Sequence, residues 1–288
     1  LEAGAVFPYR RWRRPFVTAV LMALGDGLSR SHGAARGIPE EEVHRWRERV
    51  FVNKSLGQQN RLRVAFASDL HAGRLTPSGT IVSAFAALME AGPDLILLGG
   101  DFVCGASEEL DAILPAMGHL QAPCGVYAVM GNHDHSAGAE VITSRLEECG
   151  VSVLCNRSVQ LPEPFGNVLL VGLDDHLGGQ PRAADARWDP SCTTLLLIHQ
   201  PSGLLDAGDR PFDVALAGHT HGGQITLPGG IAPLAASGPL SRIYKAGRYG
   251  LNQGGVLYVS VGVGQSLLPF RLGPRTEVLI LDVEGTQV

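Results

Sequence analysis

From Arg61 onward, short apolar runs alternate with stretches of helical period. Leu62 to Ala67 reads as a buried strand, Ser78 to Glu90 as a helix, and Leu95 to Leu98 as a strand. Ser107 to Leu120 reads as a helix broken or bent at Pro115, Gly125 to Met130 as a strand and Ala137 to Cys149 as a helix. Further on, strands dominate: Val168 to Leu173, Thr193 to Ile198, Phe212 to Ala217, Val256 to Val261 and Val278 to Val283, with only short helical options between them. This is βαβ grammar followed by a strand-rich half. It predicts an α/β fold of two β-sheets stacked face to face with helices outside.

Residues 1–60 are patterned differently and are expected to form an N-terminal helical extension, with the main domain covering 61–288. Arg10, Arg11, Arg13 and Arg14 interleave with Trp12, and an apolar run from Phe16 to Leu24 follows. That run is too short for a bilayer span, which needs about 20 residues. Two readings stand for it: a helix lying on an anionic membrane surface, or an amphipathic helix packed on the domain. Pro39 and the acids Glu40, Glu41 and Glu42 suit the first turn of a second helix, expected to run to about Val52.

Composition narrows the picture. A length of 288 residues with 45% hydrophobic and 18% charged residues allows one sizeable α/β domain. The 37 glycines, well above the usual ~7%, sit in turns and act as loop devices. A net charge of -5 gives no global attraction to nucleic acid, and none is expected as a partner. Five cysteines without a Cys-x-x-Cys pair point to a reduced setting or incidental burial. The sequence opens on Leu1, which is read as loss of an upstream stretch that could have carried a signal or anchor. A cytoplasmic location, or a peripheral one at a membrane surface, is expected.

The chemistry lies at the ends of the apolar runs. Leu62 to Ala67 leads into Ser68-Asp69-Leu70-His71, Leu95 to Leu98 into Gly99-Gly100-Asp101, and Gly125 to Met130 into Gly131-Asn132-His133-Asp134. Thr193 to Ile198 leads into His199-Gln200-Pro201, and Phe212 to Ala217 into Gly218-His219-Thr220-His221-Gly222-Gly223. In open α/β sheets the carboxyl ends of strands are where sites are built. Imidazole, carboxylate and amide oxygen suit Mn, Fe or Zn, and the lack of cysteine argues against a structural thiolate zinc site. Asp69, His71, Asp101, Asn132, His199, His219 and His221 are too many ligands for one tetrahedral ion. Two divalent ions sharing a bridging carboxylate would use them all.

The ordered series Asp-x-His, Gly-Asp, Gly-Asn-His-Asp, a lone His and Gly-His-x-His resembles the calcineurin-like metallophosphoesterases over about Leu62 to Val283. The resemblance implies an αββα sandwich of two mixed sheets with a dinuclear site at the strand C-terminal ends. It places Asp69, His71, Asp101 and His221 on one ion and Asp101, Asn132, His199 and His219 on the other, with Asp101 bridging and manganese the first choice of metal. His219-Thr220-His221-Gly222-Gly223-Gln224-Ile225, with Pro201 close after His199, is most similar to the bacterial phosphodiesterase branch, which includes membrane-associated enzymes and lipid-nucleotide pyrophosphatases. Serine/threonine phosphatases of the superfamily usually read Gly-Asn-His-Glu, and carry an arginine after Gly-Asp that this chain lacks.

The expected activity is hydrolysis of a phosphodiester or pyrophosphate bond. Two ions hold a hydroxide as nucleophile and neutralise phosphoryl charge, with Asp101 and His133 as the catalytic residues and His133 assisting the leaving group. The substrate is expected to be a small phosphate ester or a lipid-linked one, with peripheral membrane contact through residues 10–24. A phosphomonoesterase on the same site is the alternative. A non-catalytic metal-bound binding protein is a second alternative, suggested only by Cys104, which stands where family members commonly carry an aspartate that orients the catalytic histidine. Another group, such as Asp134, is expected to supply that support. Asp174-Asp175-His176 reads as an exposed acidic turn, with a role in holding ligands or substrate as the alternative. Arg74 is a phosphate grip or a solvated loop residue, while His32, His44, His119 and His135 are ordinary surface or interface residues. Gly262-Val263-Gly264 is a strand-end turn.

Overall fold

Strands that are apolar on both faces must be covered on both faces, and the chain does this with two sheets and an outer layer. The structure is a computed structural model describing residues 41–227, 232–233, 236–252 and 254–286. The first sheet contains β1 (His44–Phe51), β2 (Arg61–Ala67), β3 (Leu95–Leu98), β4 (Val126–Ala128), β5 (Ser152–Val153) and β12 (Glu277–Glu284), in the order β1-β12-β2-β3-β4-β5. The second contains β6 (Arg157–Gln160), β7 (Val168–Gly172), β8 (Thr193–Leu197), β9 (Val214–Ala217), β10 (Gly247–Gly250) and β11 (Val256–Val259), in the order β10-β11-β9-β8-β7-β6. Both are mixed. β12 runs antiparallel to β2, and β10 and β6 lie antiparallel at the two edges of the second sheet.

Alternation along each strand sorts the core. Leu62, Val64, Phe66, Leu95 and Leu97 meet Leu195, Leu197, Val214, Leu216 and Tyr258 between the sheets. Ala65, Ala67, Ile96 and Leu98 face outward onto α1 (Ser78–Glu90), α2 (Leu114–Met117) and α3 (Asn132–Glu148), through Ile81, Phe85, Met117, Ile142 and Leu146. The outer face of the second sheet is covered by Trp188, Phe212, Tyr244 and Tyr249, with the short α4 (Gly203–Ala207) contributing Ala207.

Most expected elements are present, but three differ. The helix expected from Pro39 to about Val52 is overturned across His44–Phe51, which is β1. Its exposure alternates, with Trp46, Glu48 and Val50 turned inward and Arg45, Arg47 and Arg49 outward. It pairs in parallel with β12 over all eight residues, and Trp46 packs on Tyr258 with ring centroids 5.7 Å apart. The first sheet therefore begins inside the stretch assigned to an N-terminal helical extension. Residues 1–40, including the segment from Arg10 to Leu24 and His32, lie outside the described residues. Ser107 to Leu120 is a 3₁₀ turn over Ser107–Ala112 followed by α2, with Pro115 in the first helical turn, where its missing N–H costs nothing. Finally, α3 begins at Asn132 rather than Ala137, with Gly138 breaking it at φ 113°.

None of the five cysteines is in a disulfide. Among the described residues no helix is long and apolar enough to cross a membrane.

Candidate metal centre

Each expected ligand sits just past a strand. Asp69 and His71 follow β2, Asp101 follows β3, Asn132 follows β4 and opens α3, His199 follows β8, and His219 and His221 follow β9. Five of these seven adopt positive φ: Asp69 55°, His71 43°, Asp101 54°, His219 70° and His221 50°. Left-handed backbone costs a non-glycine residue about 1–3 kcal/mol and persists only where the surroundings impose it. Here the constraint is visible. Asp69 N–H donates to Gly100 O at 2.9 Å, His71 N–H donates to Asp101 O at 2.9 Å, and His219 N–H donates to both Asp69 carboxylate oxygens at 3.0 and 2.9 Å. Two glycines make room for the carboxylates. A Cβ at Gly131 would lie 2.2 Å from Asp101 Oδ1, and one at Gly218 would lie 2.3 Å from Asp69 Oδ2.

The ring nitrogens converge. His71 Nε2 lies 3.1 Å from His221 Nε2, and His199 Nε2 lies 3.2 Å from His219 Nδ1. Asp101 Oδ2 stands 3.6 Å from His71 Nε2 and 3.3 Å from His199 Nε2, and Asp69 Oδ1 stands 3.6 Å from His221 Nε2. Two donors each ~2.1 Å from one ion and separated by 90–109° lie roughly 3.0–3.4 Å apart, a window that holds the 3.1, 3.2 and 3.3 Å spacings, with the two 3.6 Å spacings just beyond it. Three groups with metal-compatible spacing result: Asp69, His71 and His221; Asp101, His199 and His219; and His71, Asp101 and His133. Asn132 Oδ1 is buried with no hydrogen-bond partner, as a ligand atom awaiting a cation would be.

Burial sets the protonation states of the ion-free chain. It draws His71 down to about 3 and His219 down to about 4, and holds His221 well below the ordinary histidine value, leaving neutral imidazoles at neutral pH. Burial also pushes Asp69 up to about 6, against the opposing charge of His199. Burial disfavours charge on Asp101 and His199 too, but each is the other's counter-ion. Asp101 is therefore held well below the carboxylate range and His199 well above the histidine range. The far nitrogens of two rings meet carbonyls: His199 Nδ1 lies 2.7 Å from Gly99 O and His219 Nε2 lies 3.0 Å from Ser237 O. Such acceptors fix the tautomer that aims a lone pair inward.

His133 stands beside this group, its ring edge-on to His71 with centroids 4.8 Å apart. Its support differs from expectation. Asp134 does not reach it, because that carboxylate accepts backbone N–H from Asp101 (2.8 Å), Phe102 (2.8 Å), Val103 (3.3 Å) and Gly131 (2.9 Å). Asp134 clamps the Gly-Asp turn to the start of α3. Burial and the charge of Asp101 push its carboxyl up to about 7, against N–H donors that favour the anion. His133 Nδ1 instead meets the backbone carbonyl of Cys104 at 2.6 Å, while the Cys104 thiol is turned toward Ser266 O at 3.9 Å. The side chain at position 104 is not what orients the ring.

Asp174-Asp175-His176 is not an exposed turn. Both aspartates are buried, Asp174 paired with His135 at 2.7 Å and Asp175 accepting from Gln200 Nε2 at 2.7 Å, while His176 pairs with Asp206 at 2.7 Å. Arg74, His44 and His119 are exposed. Sequence reasoning missed Glu109, whose carboxylate gathers the N–H groups of Cys104, Gly105 and Ala106. It also missed Arg271, which contacts His221. The only signal for Arg271 was a lone cation between apolar residues, downstream of the Gly262-Val263-Gly264 turn.

Residues 62–223 match the model of the calcineurin-like phosphoesterase family. The chain is 34% identical over 280 residues to Phosphodiesterase YaeI of Escherichia coli (strain K12), covering 94% of this chain and 98% of that one. It is 27% identical to the uncharacterized metallophosphoesterase YkuE of Bacillus subtilis (strain 168), covering 95% and 98%. It is also 27% identical to UDP-2,3-diacylglucosamine pyrophosphatase LpxG of Chlamydia muridarum (strain MoPn / Nigg), covering 61% and 68%. On this match and this geometry, the chain belongs to the calcineurin-like phosphoesterase family, hydrolases that use divalent metal ions to cleave phosphoester bonds.

Proposed function

We propose that this enzyme is a dinuclear phosphodiesterase acting on a phosphodiester or pyrophosphate bond. Asp69, His71, Asp101 and His221 would hold one ion, and Asp101, Asn132, His199 and His219 would hold the other. The carrying observation is Asp101 Oδ2, within 3.6 Å of an imidazole nitrogen from each cluster. Bound ions supply Lewis acidity to the phosphoryl oxygens and acidify the attacking water. Nitrogen and oxygen donors without thiolate favour Mn, with Fe or Zn as substitutes. His133 protonates the leaving oxygen from Nε2, since the Cys104 carbonyl holds its Nδ1–H and steadies the imidazolium.

The assay is hydrolysis of bis(p-nitrophenyl) phosphate and p-nitrophenyl phosphate by chelator-stripped protein reloaded with Mn, Fe or Zn. Mn-dependent turnover with the diester preferred is expected, and a clear monoester preference would overturn the diester assignment.

A lipid-linked substrate is proposed as well, supported by the name of the Chlamydia relative. A second support is the group of exposed apolar residues Leu227, Phe270 and Leu272, on segments joined by Thr226 N–H to Leu272 O just beyond the His221 turn. Peripheral binding through residues 10–24 accompanies this proposal. Sedimentation with anionic vesicles tests it: binding should fall with salt and vanish when Arg10, Arg11, Arg13 and Arg14 become serine.

A further inference from the structure

The far nitrogens of the imidazoles are not treated alike. His199 and His219 each face a carbonyl, an acceptor that strengthens the ring as a ligand. His71 Nδ1 is buried without a partner. His221 Nδ1 faces the Arg271 guanidinium, with Nη2 3.3 Å away. A guanidinium can only donate and is always charged. If His221 carries its proton on Nδ1, two N–H groups oppose each other. If the proton is on Nε2, it occupies the nitrogen that must hold the ion. In either state a fixed positive charge stands behind the ligand.

Arg271 is kept there by a separate task. Nη1 donates to Val261 O at 2.8 Å, and Nη2 donates to Gly262 O at 3.2 Å and to Gly264 O. The segment so gathered is fastened to the ligand turn after β2, with Val263 N–H donating to Ser68 O at 3.0 Å and Gly264 N–H to Asp69 O at 2.6 Å. The residue that orders the Asp69 turn thus opposes charge on the ion Asp69 would bind.

We propose that Arg271 is a positioning residue that selectively lowers affinity for the ion held by Asp69, His71 and His221, keeping that ion exchangeable while leaving the His199–His219 position unaffected. The inference rests on the two-ion reading above. It implies that the extra carboxylate on this side, Asp69 against the neutral Asn132, is offset by the arginine.

The test is calorimetric titration of Mn²⁺ into the stripped 288-residue chain at pH 8, with the two binding steps assigned by His221→Ala and His219→Ala. Arg271→Gln keeps N–H donors for the carbonyls but removes the charge. It should tighten the step that His221→Ala abolishes by about tenfold, the lower end of what a ligand's outer partner contributes, and leave the other step unchanged. Arg271→Lys keeps the charge and should match wild type at that step. An unchanged or weaker step in Arg271→Gln, with a native circular dichroism spectrum, overturns the inference and leaves the two-ion centre standing. If Arg271→Gln does not fold, a tighter step in Arg271→Lys overturns it and wild-type affinity supports it. Wild type binding fewer than two ions removes the two-ion reading and the inference with it.

Discussion

The two sheets bring different chemistry to the centre. On the two-ion reading proposed above, loops of the first would supply Asp69, Asp101, Asn132 and His71, whereas loops of the second would supply only imidazoles, His199, His219 and His221. Two of the three metal-compatible groups, Asp69, His71 and His221 and Asp101, His199 and His219, draw from both sheets. Even without ions the sheets are stitched here, through His199 Nδ1 to Gly99 O and His219 N–H to Asp69. Both candidate carboxylates thus come from one layer and meet the second layer's imidazoles only when the sheets pack, and the centre doubles as a clasp between them.

The most damaging way to break this division is to remove the one carboxylate both clusters share. Asp101→Asn should lose both ions and lower turnover by roughly 1,000-fold or more, the loss of several kcal/mol of Lewis-acid stabilisation. Metal analysis beside activity checks it, and full occupancy in the variant would count against bridging. Next comes the residue that the two-ion reading assigns to neither ion. His133→Asn should keep both ions yet lower kcat by about 100- to 10,000-fold for alkyl esters, with a smaller loss for nitrophenyl esters, whose leaving group needs no proton. An equal loss for both would refute the leaving-group role.

The clasp itself can be measured. Stripping ions should lower Tm by about 5–10 °C relative to protein at 100 times Kd, where binding adds ~2.7 kcal/mol. Thermal melts with and without chelator decide, and no difference would mean the sheets do not depend on the ions. The smallest effect separates the layers by pH. Ion-free His199 is protonated at neutrality and must release that proton, so Mn affinity at its position should fall about tenfold per pH unit as pH drops through 7. Asp69, pushed up to about 6, adds a similar fall on its own side only below pH 6. Titrations at pH 5.5, 7 and 8 with His221→Ala and His219→Ala would show whether the two slopes separate this way.

Much of this was written in side chains and hence readable. Ser78–Glu90 and Leu95–Leu98 fall where periodicity placed them, and the ligand series was visible because each ligand follows a buried run. What escaped depends on backbone or on distant partners. β1 carries Arg45, Arg47 and Arg49, which local propensity cannot tell from a solvated helix; β12 and the Tyr258 ring make it a strand. The support of His133 was invisible because every residue has a carbonyl, and only the loop path around Glu109 aims the one at Cys104. Asp134 was misassigned for the same reason, since its partners are N–H groups with no residue signature.

The position of β12 also governs when the centre can be finished. This strand lies between β1 and β2, pairing with both, so β2, which leads into Asp69 and His71, has β3 on one side but an open edge on the other until residues 277–284 exist. On the ribosome, where chains emerge at ~5–20 residues per second, all seven candidate ligands are synthesised before that strand. A nascent chain therefore carries every candidate metal ligand while the first sheet still lacks the strand that joins β1 to β2. Its exposed β2 edge is an invitation to wrong pairing, so the hazard for this fold falls in the seconds between making the last ligand, His221, and making β12.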